Sequence, residues 1–399
     1  MKNSLGYAFC SAAMMLTSGA AMADSIDVLR YALSGGTPNL DVRGRWEHVS
    51  QDNALDAADA YTVRARVGYT TGKWNDLDVQ TEFEGTFPFG PQAYNSTTNG
   101  KVTRSTIGDP KGTELNQVAL RYTGIAGNVF KLGRQRFILD NARFIGNSGW
   151  RQNEVTFDAF TAVNTKISKT TLTYAYLSRV DDKNYKAFKL NGQVFNAAYA
   201  ASPQLNLVGY AYLFDFDQNL ATRRDTQTYG LRASGAVPFD GFKLLYTAEY
   251  AHQNHYKDSP SAVSAQYILA ELGASSHGIS AKLGYEVLGG DGTYGFQTPL
   301  ATLHAFQGWA DQFLNTPNGG IRDAYLRLEG DAPAGIKLLG FYHDFRSDDG
   351  GAKYGKEYDV QAMKAINDNF NITAKYAGYR ADTSSVNTDK YWLQAEYKF

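Results

Sequence analysis

The sequence predicts an all-β fold, a membrane-crossing antiparallel barrel of about eighteen strands. Three observations predict it. Apolar and polar residues alternate with period two over stretches roughly 9–12 residues long, the length a tilted transmembrane strand needs. Tyr (27), Phe (22) and Gly (39) are abundant while Pro is scarce (10), a composition suited to strands and tight turns. Connections between the alternating stretches are by turns short and long, as when turns close one rim of a barrel and loops rise from the other.

Residues 1–23 read as a cleaved export signal and not as fold. Lys2 supplies a positive start, an apolar core follows, and Ala21-Met22-Ala23 gives a small-x-small cleavage site before Asp24. The single cysteine, Cys10, lies in that segment, so disulfides are excluded from the remaining domain, 24–399. The formal net charge of −1 argues against a strongly basic nucleic-acid binder. A mean hydropathy of −0.39 looks soluble, yet a barrel with a wet lumen also averages out polar.

In "NLDVRGRWEHV", Leu40, Val42, Gly44 and Trp46 share one face, and Asp41, Arg43, Arg45 and Glu47 share the other. "AYTVRARVGYT" sets Tyr61, Val63, Ala65, Val67 and Tyr69 against Thr62, Arg64, Arg66 and Thr70. "LDVQTEFEG" gathers Asp78, Gln80, Glu82 and Glu84 on one side. Eighteen such stretches follow one another: 39–50, 59–71, 76–86, 113–123, 127–139, 153–163, 169–180, 190–201, 204–215, 225–237, 241–254, 263–275, 277–289, 322–331, 335–347, 355–366, 369–381 and 389–399. Short turns are expected at 124–127, 202–203, 238–241, 275–278, 332–335 and 367–368, and long loops above all at 87–112 and 290–321. A soluble sandwich would use strands of about 5–6 residues with more Leu and Ile on the apolar face. The last strand ends on Phe399 with Tyr391, Leu393, Ala395 and Tyr397 on its face; such an aromatic end resembles the signal read by outer-membrane assembly machinery.

Alternation assigns the charges. An arginine facing lipid at mid-membrane costs about 2–4 kcal/mol, so Arg43, Arg45, Arg64 and Arg66 must face the lumen. Arg121, Arg134 and Arg136 are expected there too, opposite Asp78, Glu82 and Glu84, with Glu154 and Asp158 as further lumen acids. Eighteen strands enclose an interior too wide for side chains to fill, so it is expected to hold water. A ring of Arg or Lys in such a pore favours anions.

The stretch "LGRQRFILDNARFIGNSGWRQ" departs from the pattern, because Arg134 and Arg136 share a register with Phe130 and Leu132. Either a bulge switches the faces there or these arginines sit above the membrane band. Gly133, Gly146 and Gly149 would let the backbone approach closely or turn inward. Residues 134–151 are expected to place guanidinium groups at the narrow part or mouth of the pore, where an arginine can grip a carboxylate with two N–H groups.

This stretch, continued as "NEVTFDAF", together with "LGGDGTYGFQTPLATLHAFQGWADQFLNTPNGGIRDAYLRLEG", resembles the alginate export family of outer-membrane porins. The resemblance implies an eighteen-stranded barrel with an arginine-rich lumen passing uronate polysaccharide or related solutes. It marks Arg134, Gln135, Arg143 and Arg151 as lumen or loop contacts and loop 290–321 as a pore-mouth or inward-folded segment. Shorter loops than those of the dedicated polymer exporters, and many lumen acids, favour passive diffusion of small anionic solutes or oligosaccharides. The expected partners are outer-membrane lipid, those solutes and, through Phe399, the assembly machinery. No cofactor or metal is expected: "GGDGTYG" offers Asp291 alone among glycines, and the six histidines are scattered. "GNSGW" is no G-x-S-x-G nucleophile turn, so an enzyme is not expected.

Overall fold

The computed structural model describes residues 30, 32–220 and 223–399; the expected export signal at 1–23 lies outside the described residues. The described chain forms β1 (Thr37–Gln51), β2 (Ala58–Thr70), β3 (Leu77–Pro88), β4 (Gly112–Tyr122), β5 (Asn128–Gln135) and β6 (Thr156–Asn164). It continues through β7 (Thr170–Asp181), β8 (Ala187–Ser202), β9 (Leu205–Phe216), β10 (Thr226–Phe239), β11 (Phe242–His255) and β12 (Ser264–Ser276). The last six are β13 (Ile279–Leu288), β14 (Ile321–Ala332), β15 (Ile336–Arg346), β16 (Lys353–Ala365), β17 (Phe370–Ala381) and β18 (Thr388–Lys398). They make one 18-stranded sheet, closed because β1 pairs with β2 on one side and β18 on the other. Closure leaves no sheet edge, so every strand's backbone groups find partners inside the wall.

The outer surface is apolar where the alternation puts it. Val67, Phe83, Leu132, Leu231, Leu272, Leu283, Val360 and Leu393 are all more than half exposed. An exposed apolar belt of that extent is far larger than a soluble monomer carries, and it is the lipid-facing band of a transmembrane barrel. Aromatic side chains cluster toward its borders: Phe239 stacks on Phe242 beside a short turn, and Tyr342 meets Tyr358 nearer the loops. Phe399 is exposed on the outer face and tied in by two backbone hydrogen bonds with Leu40.

Two-residue turns join β8 to β9, β10 to β11 and β12 to β13, whereas β3–β4, β5–β6 and β13–β14 are joined by loops 89–111, 136–155 and 289–320 on the other rim. β5 ends at Gln135, short of the expected 139. Gly133 explains part of this: its φ is +125° and a Cβ there would lie 2.3 Å from the Val118 carbonyl oxygen, so only glycine lets β5 run this close to β4. Bulges at Glu82/Phe83, Asp158/Ala159 and Leu177/Arg179 bend the same stretch of wall.

The expectation of a water-filled interior needs correction on the loop side. Loops 136–155 and 289–320 fold into the barrel, pair at Ile145 and Leu300, and carry Phe144, Phe296, Trp309 and Phe313 into a buried cluster. That cluster packs on the inward faces of β7–β9, β11 and β12, where Tyr210, Tyr212, Phe214 and Phe216 follow one another on β9. The loops interlock closely: a Cβ on Gly146 would lie 2.2 Å from Thr302 Oγ1.

Candidate functional site: the ionic lumen

The inward faces of β1 and β2 carry Arg43, Arg45, Arg64 and Arg66, all buried. Arg43 and Arg64 stand directly opposite each other, a like-charge pair that would cost stability uncompensated. Glu396 of β18 compensates both, with Oε1 at 2.8 Å from Arg43 Nη2 and 3.0 Å from Arg64 Nη2. Arg43 also donates from Nη1 to the carbonyls of Gly149, Trp150 and Arg151. Arg45 donates from Nη2 to the Trp150 carbonyl at 2.6 Å, with its guanidinium 4.2 Å above the Trp150 ring. These side chains grip the infolded loop by its backbone. Arg66 pairs with Glu84 and lies 3.4 Å from Glu154.

The arginines of the unusual stretch take different roles. Arg134 and Asp158 are corrections to the expected lumen set. Arg134 lies opposite Val118 and Asp158 lies opposite Arg134, and Val118 faces outward, so both belong to the outer wall near the loops. There Arg134 donates to Asp158 and reaches Asp181 at 3.0 Å. Gln135 points inward and is buried, donating to the Ala159 carbonyl at 3.0 Å. Arg136, just past the strand end, turns inward to Glu154 and Glu82. Arg143 crosses to the far wall and meets Glu286 at 2.7 Å. Arg151 joins Glu47 and Asp311, each at 3.1 Å. Of the four, three brace the infolded loop and one lies outside the barrel.

Formal charges inside are nearly balanced, but not evenly presented. In four lumen pairs the cation covers the acid. Side-chain exposure is 42% for Arg121 against 1% for Asp78, 31% for Arg136 against 0% for Glu154, 16% for Arg232 against 2% for Glu249, and 21% for Lys282 against 12% for Glu271. Arg327 with Glu329, at 33% and 39%, runs the other way, and so do the dry pairs of Arg64 with Asp41 and Arg143 with Glu286, at 0% and 13% and at 1% and 5%. Glu82 and Glu84 are likewise buried. Carboxylates line the wall and guanidinium tips lie over them, so the surface facing water is more cationic than the residue count. Glu154 shows the effect of that cover. Burial would raise its pKa, yet Arg66 and Arg136 pull it down to about 2.

Several site residues carry no sequence motif. Trp150 stacks on His304 at 4.9 Å between centroids and 5° between planes. Lys375 of β17 places Nζ 3.5 Å from the Trp309 ring centroid and 2.8 Å from His304 Nε2, and His304 Nδ1 meets Asp311 at 2.7 Å. With Lys375 Nζ donating to its Nε2, His304 is neutral and its Nδ1–H donates to Asp311. Burial agrees, holding the imidazole well below its ordinary value. Ala310 N–H donates to Glu357 and Trp309 N–H to Asp359, so carboxylates of β16 seat the longer loop. The one signal available beforehand was β9, whose two faces are both apolar, against a wet lumen.

Below the infolded loops a cleft of about 300 Å³ opens among β10–β15. Arg232, Lys282 and Arg327 line it with Glu271, Glu286, Tyr325 and Phe341, and Phe306 and Gln307 of the longer loop form its roof. Among the described residues there is no cluster of His, Cys, Asp and Glu able to hold a metal ion.

No family model matches the chain, and no curated protein matches it. Solved structures do. The outer membrane protein OpdK from Pseudomonas aeruginosa superimposes with a TM-score of 0.74 at 12% identity, over 92% of this chain and 99% of that chain. OccK9 (OpdG) from the same organism gives 0.73 at 14% identity with the same coverage. OccAB2 from Acinetobacter baumannii gives 0.72 at 15% identity, again over 92% and 99%. OpdK has also been crystallised with vanillate. At these identities the likeness establishes the fold.

Proposed function

We propose that the protein is an outer-membrane channel through which small anionic solutes diffuse passively. The observation that carries this reading is the layering of lumen charge, with Arg121, Arg136, Arg232 and Lys282 each more exposed than the carboxylate it pairs with. A carboxylate solute meets N–H donors first, and the acids beneath keep the arginines in place without competing for it. The apolar belt and the likeness to OpdK support the outer membrane as its location. The exposed aromatic end at Phe399 supports delivery by the assembly machinery of that membrane. Loops folded into the interior favour small acids and short uronate-type oligosaccharides over a long polymer. On this reading the protein performs no covalent chemistry and uses no cofactor.

Planar bilayers test the proposal. In a KCl gradient the purified protein should give steady channels whose reversal potential reports preference for Cl⁻, and galacturonate oligomers should interrupt the current. Cation preference removes the anionic-solute reading, and a protein that inserts without conducting removes the channel.

A further inference from the structure

The outer wall carries a charge pattern of its own, on the loop-side ends of β14–β17. Arg322 stands directly opposite Arg346, Arg346 opposite Lys353, and Lys356 opposite Arg380. Cross-strand partners share a face, and this one is the outer face, which on the same strands carries exposed Leu328, Tyr358 and Val360. Like charges directly opposite one another destabilise a sheet. Three acids answer the five cations. Asp348 pairs with Arg322 at 2.7 Å, Asp344 with Arg346 at 2.8 Å and Asp389 of β18 with Arg380 at 2.9 Å, and in each pair the arginine is the more exposed partner. Lys353 and Lys356 have no ion pair among the described residues. Arg346 donates to Asp344 through Nε, which leaves Nη1 and Nη2 without an acceptor among the described residues. Two further acids in the adjoining turns lie off this face: Asp349 against Gly292 of the longer loop, and Asp382 near inward-facing Tyr379. Just below the cations are two tyrosine pairs, Tyr342 with Tyr358 at 5.2 Å between ring centroids and Tyr376 with Tyr391 at 5.0 Å. Tyrosines so placed mark the border between hydrocarbon and head groups, which puts the cations at head-group level.

We infer that this patch is a docking surface for a lipid head group bearing more than one phosphate, in the leaflet beside the loops. Phosphate follows from the donors: an arginine holds its oxygens with two N–H groups, and a lysine serves as a point charge. A lipid, and not a dissolved anion, follows from the place. The patch faces sideways into the bilayer, and exposed Leu338, Val360 and Leu393 lie beneath it to receive acyl chains. Four neighbouring strands spread the cations over about 14 Å, so separate phosphates can be held at once. A bound head group would then relieve the like-charge pairs that the chain leaves unanswered. The inference goes beyond the channel reading, because it concerns the outer wall and does not depend on what crosses the lumen.

Native mass spectrometry of the detergent-solubilised full chain tests this without divalent cations, using diphosphoryl lipid A, monophosphoryl lipid A and phosphatidylcholine as probes. The diphosphoryl lipid should bind at least tenfold tighter than phosphatidylcholine and at least threefold tighter than the monophosphoryl lipid. The triple variant Arg346→Gln/Lys353→Gln/Lys356→Gln should lose at least tenfold in affinity for the diphosphoryl lipid. Lys73→Gln/Lys166→Gln/Lys169→Gln removes the same charge from the other rim and should change that affinity less than twofold. Heat-resistant mobility on gels confirms that each variant is folded. An unchanged triple variant, an equal loss in the other-rim variant, or phosphatidylcholine binding as tightly as the diphosphoryl lipid each overturns the surface. Release of the bound lipid by an equimolar amount of inorganic pyrophosphate would reveal a site for dissolved anions and overturn the lipid assignment. None of these outcomes bears on conductance, so the surface and the channel reading stand or fall separately.

Discussion

Replacing Arg143 by Met should unseat both infolded loops. Arg143 is fully buried and donates to Glu286 at 2.7 Å, to Gln307 at 3.0 Å and to Thr298 at 3.4 Å. Glu286 belongs to the far wall, while Gln307 and Thr298 belong to the longer loop, so one side chain ties three segments together. Methionine fills much of the space but leaves the Glu286 charge with only the neutral donors Tyr267 and Gln307. Stranding one member of a buried ion pair costs about 3–5 kcal/mol. At 1.36 kcal/mol per decade, the seated-to-unseated ratio should fall by about two to four orders of magnitude. Proteinase K reads this, because cleavage under fast opening and closing tracks the open population. Cleavage within 136–155 should accelerate at least a hundredfold over wild type, and single-channel traces should become noisy. Arg143→Met/Glu286→Gln removes both charges, and its cleavage rate should return to within tenfold of wild type. A single variant no faster than wild type, or a double variant as fast as the single, refutes the brace.

Arg121→Gln with Arg136→Gln should lower the Cl⁻/K⁺ permeability ratio at least threefold, as Asp78, Glu82 and Glu154 become the exposed charges; reversal potentials measure it. Arg134→Ala with Asp158→Ala should leave that ratio unchanged, since both lie on the outer wall, and a shift there contradicts the register. Acid should loosen the longer loop. Burial holds His304 well below its ordinary value; burial opposes the shift of Asp311, but His304 and Lys390 hold it well below the usual carboxylate range. Both groups gain protons on unseating, so the seat is intact above the ordinary histidine value of about 6.5 and weakens below it, by up to about 1.4 kcal/mol per pH unit for His304. Hydrogen exchange in 289–320 should therefore be faster at pH 5 than at pH 7.5, and His304→Gln should flatten the difference. Spin labels walked along residues 61–69 should alternate between lipid-soluble and water-soluble quenchers; two adjacent sites answering to the same quencher break the face assignment.

The strands were legible because oil and water impose opposite demands on successive side chains, and that demand is local. Val63 and Arg64 declare their faces with no knowledge of the rest of the chain. Arg134 was half legible: its register with Phe130 and Leu132 already pointed outward, and only the pull of the neighbouring arginines argued for the lumen. The braces were not legible. Arg143 and Glu286 are 143 residues apart, and Arg151 and Glu47 are 104 apart, so no spacing rule joins them. Loop 289–320 offered aromatic residues and glycines but no period, and its place inside the barrel depends on partners such as Glu357 and Asp359 contributed by a distant strand.

Buried arginines and exposed arginines divide the labour in this lumen. A guanidinium that holds Gly149, Trp150 and Arg151 by their carbonyls, as Arg43 does, has few donors left for a passing solute. Its contribution to transport is indirect: by fixing loop 136–155 it sets how wide the passage is. Arg121 and Arg136 contribute directly, because their carboxylates satisfy one edge and water reaches the other. The same chemistry therefore gives opposite kinetic consequences according to burial. A dry guanidinium anchors a wall, whereas one whose outer edge faces water keeps N–H donors for a solute while its buried carboxylate holds the inner edge. A solute carboxylate displaces water from that outer edge and is displaced by water in turn, which is what rapid passage requires.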